Sequence, residues 1–205
     1  VVPLWQDLKG KTETQFPEVF ALAQILKISA WHKATDMFGP IPYKEAGKGL
    51  ITVPYDSQEE VYKSMFKELS DAIEVLTKYA DNGNSKLLPN ADAVYAGDVH
   101  KWVVYANSLM LRLAMRVYYA DAALSKKYAL QAVNHSYGVM KTKDDEAKME
   151  RGASLEFKNN LDVLINQYNE CRMGSSMLAY LGGYQDPRLP KYFNTSTVSQ
   201  LSLIH

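Results

Sequence analysis

The sequence has little of what marks several common classes of protein. Cys171 is the only cysteine among the 205 residues, so an internal disulfide framework and a thiolate metal cluster are both excluded. The 23 basic and 23 acidic side chains cancel, so the chain lacks the excess of positive charge with which proteins neutralise phosphates. Nucleic acid is therefore not expected as a partner.

A long uninterrupted hydrophobic run is also missing. The most apolar long segment, residues 102–119, contains Arg112 and Arg116, and each arginine would cost about 2.5 to 3.5 kcal/mol at the centre of a bilayer. This segment is therefore expected to be a buried helix and not a membrane span. Residues 1–5 have neither a charged start nor an apolar stretch, so no signal peptide is expected there, and the chain is interpreted as a piece of a longer protein.

The usual sequence motifs of catalysis and metal binding are missing as well. The histidines at positions 32, 100, 135 and 205 lack the spacing of a zinc site. The segment 47–49 lacks the upstream glycine and the hydroxyl residue of a phosphate-binding loop. The acidic run 144–146 is typical of solvated surface, and Asp36 and Asp56 are typical of helix capping. We therefore predict no catalytic residue, no metal site and no cofactor.

Apolar residues recur at helical spacing over much of the chain, which is 47% apolar. Pro17 suits the first turn of the first helix, and Asp56 or Ser57 can cap the second. Gly39 and the prolines beside it predict an irregular loop between these two helices. Apolar spacings of three and four residues predict helices over about residues 16–37, 57–80, 99–120, 125–136 and 173–181.

The order of these helices predicts the fold class. Two helices joined by a tight turn pack as antiparallel neighbours, and such pairs in succession are typical of tetratricopeptide-like stacks, although the chain has no strict 34-residue period. We therefore predict a mainly α fold, made of irregular tetratricopeptide-like helix pairs with long loops.

Aromatic residues are plentiful, with 3 Trp, 14 Tyr and 6 Phe. Sugars are often held by stacking on aromatic rings while polar groups fix their orientation. Trp31, Trp102 and Tyr105 fall inside predicted helices and are expected to pack in the core. The aromatics expected in loops are the candidate ligand-binding residues, namely Trp5, Tyr43, Tyr55 and Tyr184.

Four segments, in the same order along the chain, resemble the SusD/RagB family. Residues 35–46 (TDMFGPIPYKEA) are similar to a loop that follows a long helix in that family, and residues 54–62 (PYDSQEEVY) to the start of a family helix. The segment 95–116 contains YAGD, KW and ANSLMLRLAMR, and the segment 172–189 contains RMGSS and LGGYQDPRL, which match two further family patterns. Together they indicate a SusD-like chain.

This resemblance has implications for structure. It implies that residues 1–205 are the central part of one SusD-like domain, with a helical repeat scaffold at about 16–136 and a loop-rich, ligand-side region at about 137–205. The motif residues themselves are expected to be structural. Asp98 can cap the third helix, and Asn107 and Arg112 can satisfy buried polar groups.

The resemblance also implies a function. Proteins of this family are lipid-anchored at the bacterial outer membrane through an N-terminal cysteine, face the cell surface, and deliver oligosaccharides or other nutrients to a SusC-like TonB-dependent transporter. The chain is therefore expected to be a non-catalytic nutrient-binding protein, with a glycan as the common ligand of the family.

Two alternatives remain open at this point. Helical repeats also serve as scaffolds that bind only other proteins, without a small ligand. A glycan-related protein could instead be a glycoside hydrolase, which needs a pair of carboxyl groups flanking the scissile bond. The sequence itself does not indicate which nutrient is bound.

Overall fold

The computed structural model describes residues 2–149, 163–168 and 173–193. The chain divides into two compact units, Val1–Glu150 and Arg151–His205. The described parts of both units are helical, so the predicted mainly α architecture is confirmed.

The first unit is a bundle of five α-helices followed by a short 3₁₀ turn. α2 and α3 pack closely on each other, and α4 packs against both α3 and α5. Three of the predicted helices therefore form the centre of the unit: α3 packs on both α2 and α4, and α2 and α4 also touch each other. The elements are α1 (Val2–Thr12), α2 (Pro17–Phe38), α3 (Gln58–Asp81), α4 (Val99–Arg116), α5 (Ala122–Val133) and the 3₁₀ turn Lys143–Asp145.

α3 and α4 each begin at a residue whose side chain caps the helix. The Ser57 side chain accepts a hydrogen bond from the Glu60 backbone N–H at 3.2 Å, and the Asp98 carboxylate accepts one from the Lys101 N–H at 3.1 Å. Such caps satisfy N–H groups that have no partner within the helix. Ser57, and not Asp56, is therefore the cap of α3, and the expected role of Asp98 is confirmed.

The core of the first unit lies between the facing stripes of these helices. Met65, Phe66 and Leu69 of α3 are fully buried. The Phe66 ring stacks on Tyr128 of α5, with centroids 4.2 Å apart and planes 5° from parallel. Asn107 is buried in α4 and donates a hydrogen bond to the Gly138 carbonyl at 2.9 Å, as expected for a motif residue that satisfies a buried polar group.

α4 ends four residues earlier than its apolar pattern predicts. The Val117 carbonyl accepts hydrogen bonds from the Ala120 N–H at 3.0 Å and the Asp121 N–H at 2.8 Å. This tight turn places Asp121 at the start of α5, where its carboxylate accepts from the Leu124 N–H at 2.9 Å. The chain therefore reverses directly from α4 into α5.

α1 was not predicted, and it corrects the placement of Trp5. The segment lacks a regular apolar stripe, and we placed Trp5 in a loop. Instead Trp5 lies on α1, with its ring 5.8 Å from that of Phe20 on α2. The Gln6 side chain also donates to the Ala46 carbonyl at 3.0 Å. Packing of this kind stabilises short helices whose local pattern is weak.

The loop between α2 and α3 is pinned by a two-residue antiparallel bridge. Ile41 and Asp56 exchange backbone hydrogen bonds of 3.2 and 3.0 Å. The Asp56 carboxylate accepts two more, from the N–H groups of Tyr43 at 3.0 Å and Lys44 at 2.9 Å. Asp56 therefore shapes the loop and does not cap a helix.

The second unit contains one π-helical turn and two α-helices among its described residues. The predicted short helix at 173–181 is confirmed as α6, shifted by two residues. Arg172, which begins the last family-like segment, and Cys171 before it lie outside the described residues. The elements are the π-helical turn Val163–Gln167, α6 (Ser175–Gly183) and α7 (Leu189–Tyr192).

Candidate functional site

Two of the sequence-predicted aromatics, Trp5 and Tyr43, enclose a buried lysine. The Lys27 ammonium lies 4.0 Å from the centroid of the Trp5 ring and 4.4 Å from that of Tyr43. It donates hydrogen bonds of 3.1 and 2.9 Å to the two carboxylate oxygens of Glu68. The Tyr43 hydroxyl donates to the same carboxylate at 2.6 Å. We call Trp5, Lys27, Tyr43 and Glu68 the lysine cage.

Burial and the Glu68 charge shift the pKa values of Lys27 and Tyr43 in the lysine cage. Burial lowers the pKa of Lys27, while the Glu68 carboxylate acts in the opposite direction. Burial, followed by the charge of Glu68, raises the pKa of the Tyr43 hydroxyl above its usual range. The raised pKa keeps Tyr43 a neutral phenol at neutral pH, and the contacts of Lys27 Nζ with both Glu68 oxygens are those of an ion pair. Tyr43 is only 5% exposed, so its ring serves this packing.

Tyr55 lies in the same loop as Tyr43 and has the opposite environment. Its side chain is 72% exposed, directly before Asp56, whose backbone is fixed by the bridge to Ile41. The ring is thus presented to solvent from an anchored position. Such a residue can contact a ligand or a partner without rearrangement of the backbone.

Tyr184 lies in the second unit, at the end of α6. Its side chain is 80% exposed, and that of Tyr180 is 67% exposed. The two rings are nearly parallel, 14° apart in orientation, with centroids separated by 6.3 Å. We call Tyr180 and Tyr184 the tyrosine pair. It was only half predicted, because Tyr180 falls inside a helix and the sequence pattern assigned helical aromatics to the core.

The turn that follows the tyrosine pair is held by a tight ion pair. The Arg188 guanidinium donates to both oxygens of Asp186, at 2.5 Å from Nη2 and 2.9 Å from Nε. The hydrogen bonds from the Arg188 side chain and backbone lower the pKa of Asp186 to about 2. This carboxylate therefore fixes the turn and is not a candidate general acid at neutral pH.

A cleft at the ends of α2, α3 and α4 was not predicted. Its volume is about 710 Å³, within the usual range for ligand pockets. The Asp36 carboxylate accepts a hydrogen bond from the Tyr62 hydroxyl at 2.5 Å and pairs with Arg116 Nε at 2.8 Å. Burial and the bond to Asp36 raise the pKa of Tyr62 to about 12. No local pattern links these residues, because Asp36 and Arg116 lie far apart in the sequence.

The four predicted aromatics therefore have three different environments. Trp5 and Tyr43 come together around Lys27, Tyr55 stands exposed on the anchored loop, and Tyr184 belongs to the tyrosine pair of the second unit. Within the described residues, no group of three or more histidine, cysteine or acidic side chains could hold a metal ion. None of the helices that the structure describes is long and apolar enough to cross a membrane.

Comparison with known proteins identifies the family. The SusD-like family model, described as "Susd and RagB outer membrane lipoprotein", matches residues 1–203. The chain belongs to the SusD-like family. The resemblance carried by the four sequence segments is thereby confirmed, and the motif residues of this SusD-like chain that the structure describes are found mainly in loops, caps and helix contacts.

Solved structures of SusD homologues share the fold. A chitin-binding SusD homologue from Flavobacterium johnsoniae is 39% identical, with a TM-score of 0.86 over 94% of this chain and 40% of that one. A SusD homologue from Bacteroides uniformis ATCC 8492 is 40% identical, with a TM-score of 0.78 over 92% of this chain and 39% of the other. One from Bacteroides vulgatus ATCC 8482 is 31% identical, with a TM-score of 0.85 over 98% of this chain and 40% of the other.

The SusD-like chain thus spans about two fifths of the length of these structures. A search of curated proteins found no match.

Proposed function

We propose that this chain belongs to a non-catalytic outer-membrane lipoprotein that binds a glycan at the cell surface and delivers it to a SusC-like TonB-dependent transporter. The observation that carries the proposal is the family match over residues 1–203. It is supported by the 39% identity to a homologue described as chitin-binding.

The tyrosine pair is the ligand platform that fits this proposal best. Sugar rings present apolar faces that stack on exposed aromatic rings, while their hydroxyl groups remain hydrated. Tyr180 and Tyr184 expose most of their surface and lie nearly parallel, so they offer two adjacent stacking positions. Tyr55 is a second exposed ring, on a separate and anchored loop. Trp5 and Tyr43 are weaker candidates, because their rings flank Lys27.

The ends of α2 and α4 provide a surface that suits a protein partner. The ion pair between Asp36 and Arg116 brings these ends together. Large exposed apolar side chains are enriched at protein interfaces. Five such side chains lie at or next to these ends, each between 51% and 98% exposed, namely Met37, Phe38, Met115, Tyr118 and Tyr119. We call these five residues the helix-end surface and propose that it faces the transporter.

The proposal is tested on the complete mature protein by isothermal titration with a panel of oligosaccharides that begins with chitooligosaccharides. Replacement of Tyr184 by alanine is expected to weaken binding of the active saccharide about 2- to 12-fold, since an aromatic contact contributes about 0.5 to 1.5 kcal/mol. Tyr184→Phe keeps the stacking face and is the matched control. Equal affinity of Tyr184→Ala and the natural protein would remove the tyrosine pair from the binding site.

The transporter contact is tested separately, by purification from native membranes. Tyr119→Asp on the helix-end surface is expected to reduce recovery of a large outer-membrane barrel without changing the glycan titration. Tyr184→Ala is expected to do the reverse.

The panel also separates the alternatives. Absence of binding heat with every saccharide of the panel, with a protein partner retained, would favour a scaffold that binds only proteins or a nutrient other than a glycan. Continuous heat with product release would favour a hydrolase.

A further inference from the structure

A pocket of about 440 Å³ lies between the facing sides of α2 and α4. Its lining follows helical spacing on both helices, since residues three and four positions apart share one face. The residues that matter here are Ser29, His32 and Lys33 on α2, and Tyr105, Ser108 and Arg112 on α4. We call this the α2–α4 pocket.

The charge of the α2–α4 pocket is one-sided. Lys33 and Arg112 both line it, and no acidic side chain does. Neither cation forms an ion pair with any residue that the structure describes. By contrast, Lys27 is paired with Glu68 and Arg116 with Asp36. Arg112 is exposed, so the expectation that it satisfies a buried polar group is wrong. Two cations at one concave site favour a negatively charged occupant.

Hydroxyl groups that line the same pocket add hydrogen-bonding capacity. Ser29 Oγ and the Tyr105 hydroxyl are 2.6 Å apart, so one of them donates to the other and one proton of the pair remains to donate elsewhere. Ser108 is already used, because its hydroxyl donates to the Val104 carbonyl and accepts from the Met140 N–H, both at 2.8 Å. The polar wall of the pocket is therefore fixed in place.

His32 supplies an independent observation. It is 3% exposed and lines the α2–α4 pocket. Its Nδ1 lies 3.1 Å from the Ile28 carbonyl, and because a carbonyl only accepts, Nδ1 carries a hydrogen. Nε2 is buried and has no hydrogen-bond partner among the described residues. Buried polar atoms in folded proteins are nearly always paired. Because Nδ1 carries the hydrogen of a neutral ring, Nε2 can only accept, so this atom fits a hydroxyl donor of a bound saccharide beside the oxyanion and not the oxyanion itself.

We propose that the α2–α4 pocket binds a small oxyanion, the carboxylate or sulfate substituent of a saccharide. The planar guanidinium of Arg112 matches such a group with two parallel hydrogen bonds, and Lys33 adds a second positive charge. The saccharide part of this inference rests on the proposed function, whereas the oxyanion part does not.

The test uses the complete protein and a matched pair of probes, methyl β-glucuronide and methyl β-glucoside, which differ in a carboxylate. Binding is followed by saturation-transfer NMR, with ionic strength held constant by sodium chloride. The glucuronide is expected to bind and the glucoside to bind at least tenfold more weakly. Sodium sulfate is expected to displace the glucuronide, because both present the same oxyanion chemistry.

Variants of Arg112 and Lys33 test whether glucuronide binding takes place in the α2–α4 pocket. Arg112→Gln and Lys33→Gln are each expected to weaken glucuronide binding about tenfold, in line with the loss of one charge-assisted hydrogen bond. Arg112→Lys keeps the charge and loses the pair of parallel hydrogen bonds, so its affinity for the glucuronide is expected to lie between that of Arg112→Gln and that of the natural protein. Lys78→Gln removes an exposed cation of α3 outside the pocket and is the control for net charge. Thermal unfolding of each variant checks the fold.

Each remaining outcome decides against part of the proposal. Sulfate binding that depends on Arg112, without glucuronide binding, would keep the oxyanion site and overturn its saccharide part. Absence of both glucuronide and sulfate binding would overturn the proposal. A lower melting temperature of Arg112→Gln in that case would mean that a carboxylate of the protein itself fills the pocket. Neutral-glycan binding that depends on Tyr184 would be unaffected, so failure here is distinguishable from failure of the proposed function.

Discussion

Replacing Glu68 by glutamine tests whether the lysine cage holds a buried ion pair. The Lys27 side chain is 7% exposed and that of Glu68 is 26% exposed. Removing one partner of a buried ion pair costs about 3 to 5 kcal/mol, because the other charge stays buried and uncompensated. The rings of Trp5 and Tyr43 offset about 1 kcal/mol of this through cation–π attraction. We therefore expect Glu68→Gln to lower the free energy of unfolding by about 2 to 4 kcal/mol.

The assay is urea unfolding at neutral pH, with two further variants. Adding Lys27→Met to Glu68→Gln removes both charges, and the double variant is expected to recover most of the lost stability, because apolar replacements of buried ion pairs are often neutral. Glu74→Gln, on the same helix, removes an exposed carboxylate paired with Lys78 and is expected to leave stability unchanged.

A loss below about 0.5 kcal/mol for Glu68→Gln, which is the range of ordinary surface substitutions, would contradict a buried ion pair. A double variant no more stable than Glu68→Gln alone would contradict it as well. Either result would mean that Lys27 reaches solvent or another counter-ion, and that Trp5 and Tyr43 are available for a ligand.

Three further predictions concern the segments around α3 and α4. One Asp92 oxygen accepts hydrogen bonds from Trp102 Nε1 at 2.7 Å and the Gly97 N–H at 2.8 Å, and the other accepts from the Val94 N–H at 2.9 Å and the Tyr95 N–H at 3.2 Å. Because an asparagine side chain has only one acceptor oxygen, Asp92→Asn is expected to leave one of these two pairs of donors unpaired and to cost about 2 to 6 kcal/mol in urea unfolding. Burial tends to raise the pKa of Asp92, but these hydrogen bonds lower it overall. Its contribution is therefore present above the unfolded pKa of about 3.9 and is lost as the pH falls through the lower folded value, so titration should show the two proteins converging below about pH 4. Gly97 has a left-handed backbone, and a Cβ added there would lie 2.6 Å from the Leu87 carbonyl oxygen, so Gly97→Ala should destabilise the protein by well beyond about 1 kcal/mol. Gly83 is also left-handed but lies in open space, so Gly83→Ala should cost only about 1 kcal/mol. Equal losses in thermal unfolding would contradict the predicted clash. Ser57→Ala should cost about 1 kcal/mol through loss of the α3 cap, and no change in urea unfolding would count against that cap.

The strongly patterned helices could be predicted from the sequence, and α1 could not. α3 combines an apolar stripe with a Ser57 cap and acidic residues in its first turn, so pattern and cap predict the same start. α1 has no such stripe, and it is held by contacts of Trp5 and Gln6 with residues that are remote in sequence. Those contacts exist only after the bundle has formed, which is why the local sequence gave no signal.

The exposure of an aromatic ring was the least predictable property of the candidate site. Tyr43 and Tyr55 lie in one loop, yet one is 5% and the other 72% exposed. The difference arises from the bridge between Ile41 and Asp56, which turns Tyr43 toward Glu68 and leaves Tyr55 outside. A rule that expects loop aromatics to be exposed and helical aromatics to be buried therefore fails for Tyr43, and it also fails for Tyr180.

The segments that identify the family do not specify a ligand, and the structure gives the physical reason. Asp56 shapes a loop through two backbone hydrogen bonds, Asp98 caps α4, and Asn107 pairs with a buried carbonyl. These side chains have little hydrogen-bonding capacity left for a ligand, so they identify the family and not a nutrient. Under the functions proposed above, discrimination among nutrients must come from side chains whose polar or aromatic capacity remains available and which lie outside the shared motifs. Tyr180 of the tyrosine pair and Lys33 of the α2–α4 pocket meet both conditions within the described residues, so experiments on ligand choice should begin with these two positions.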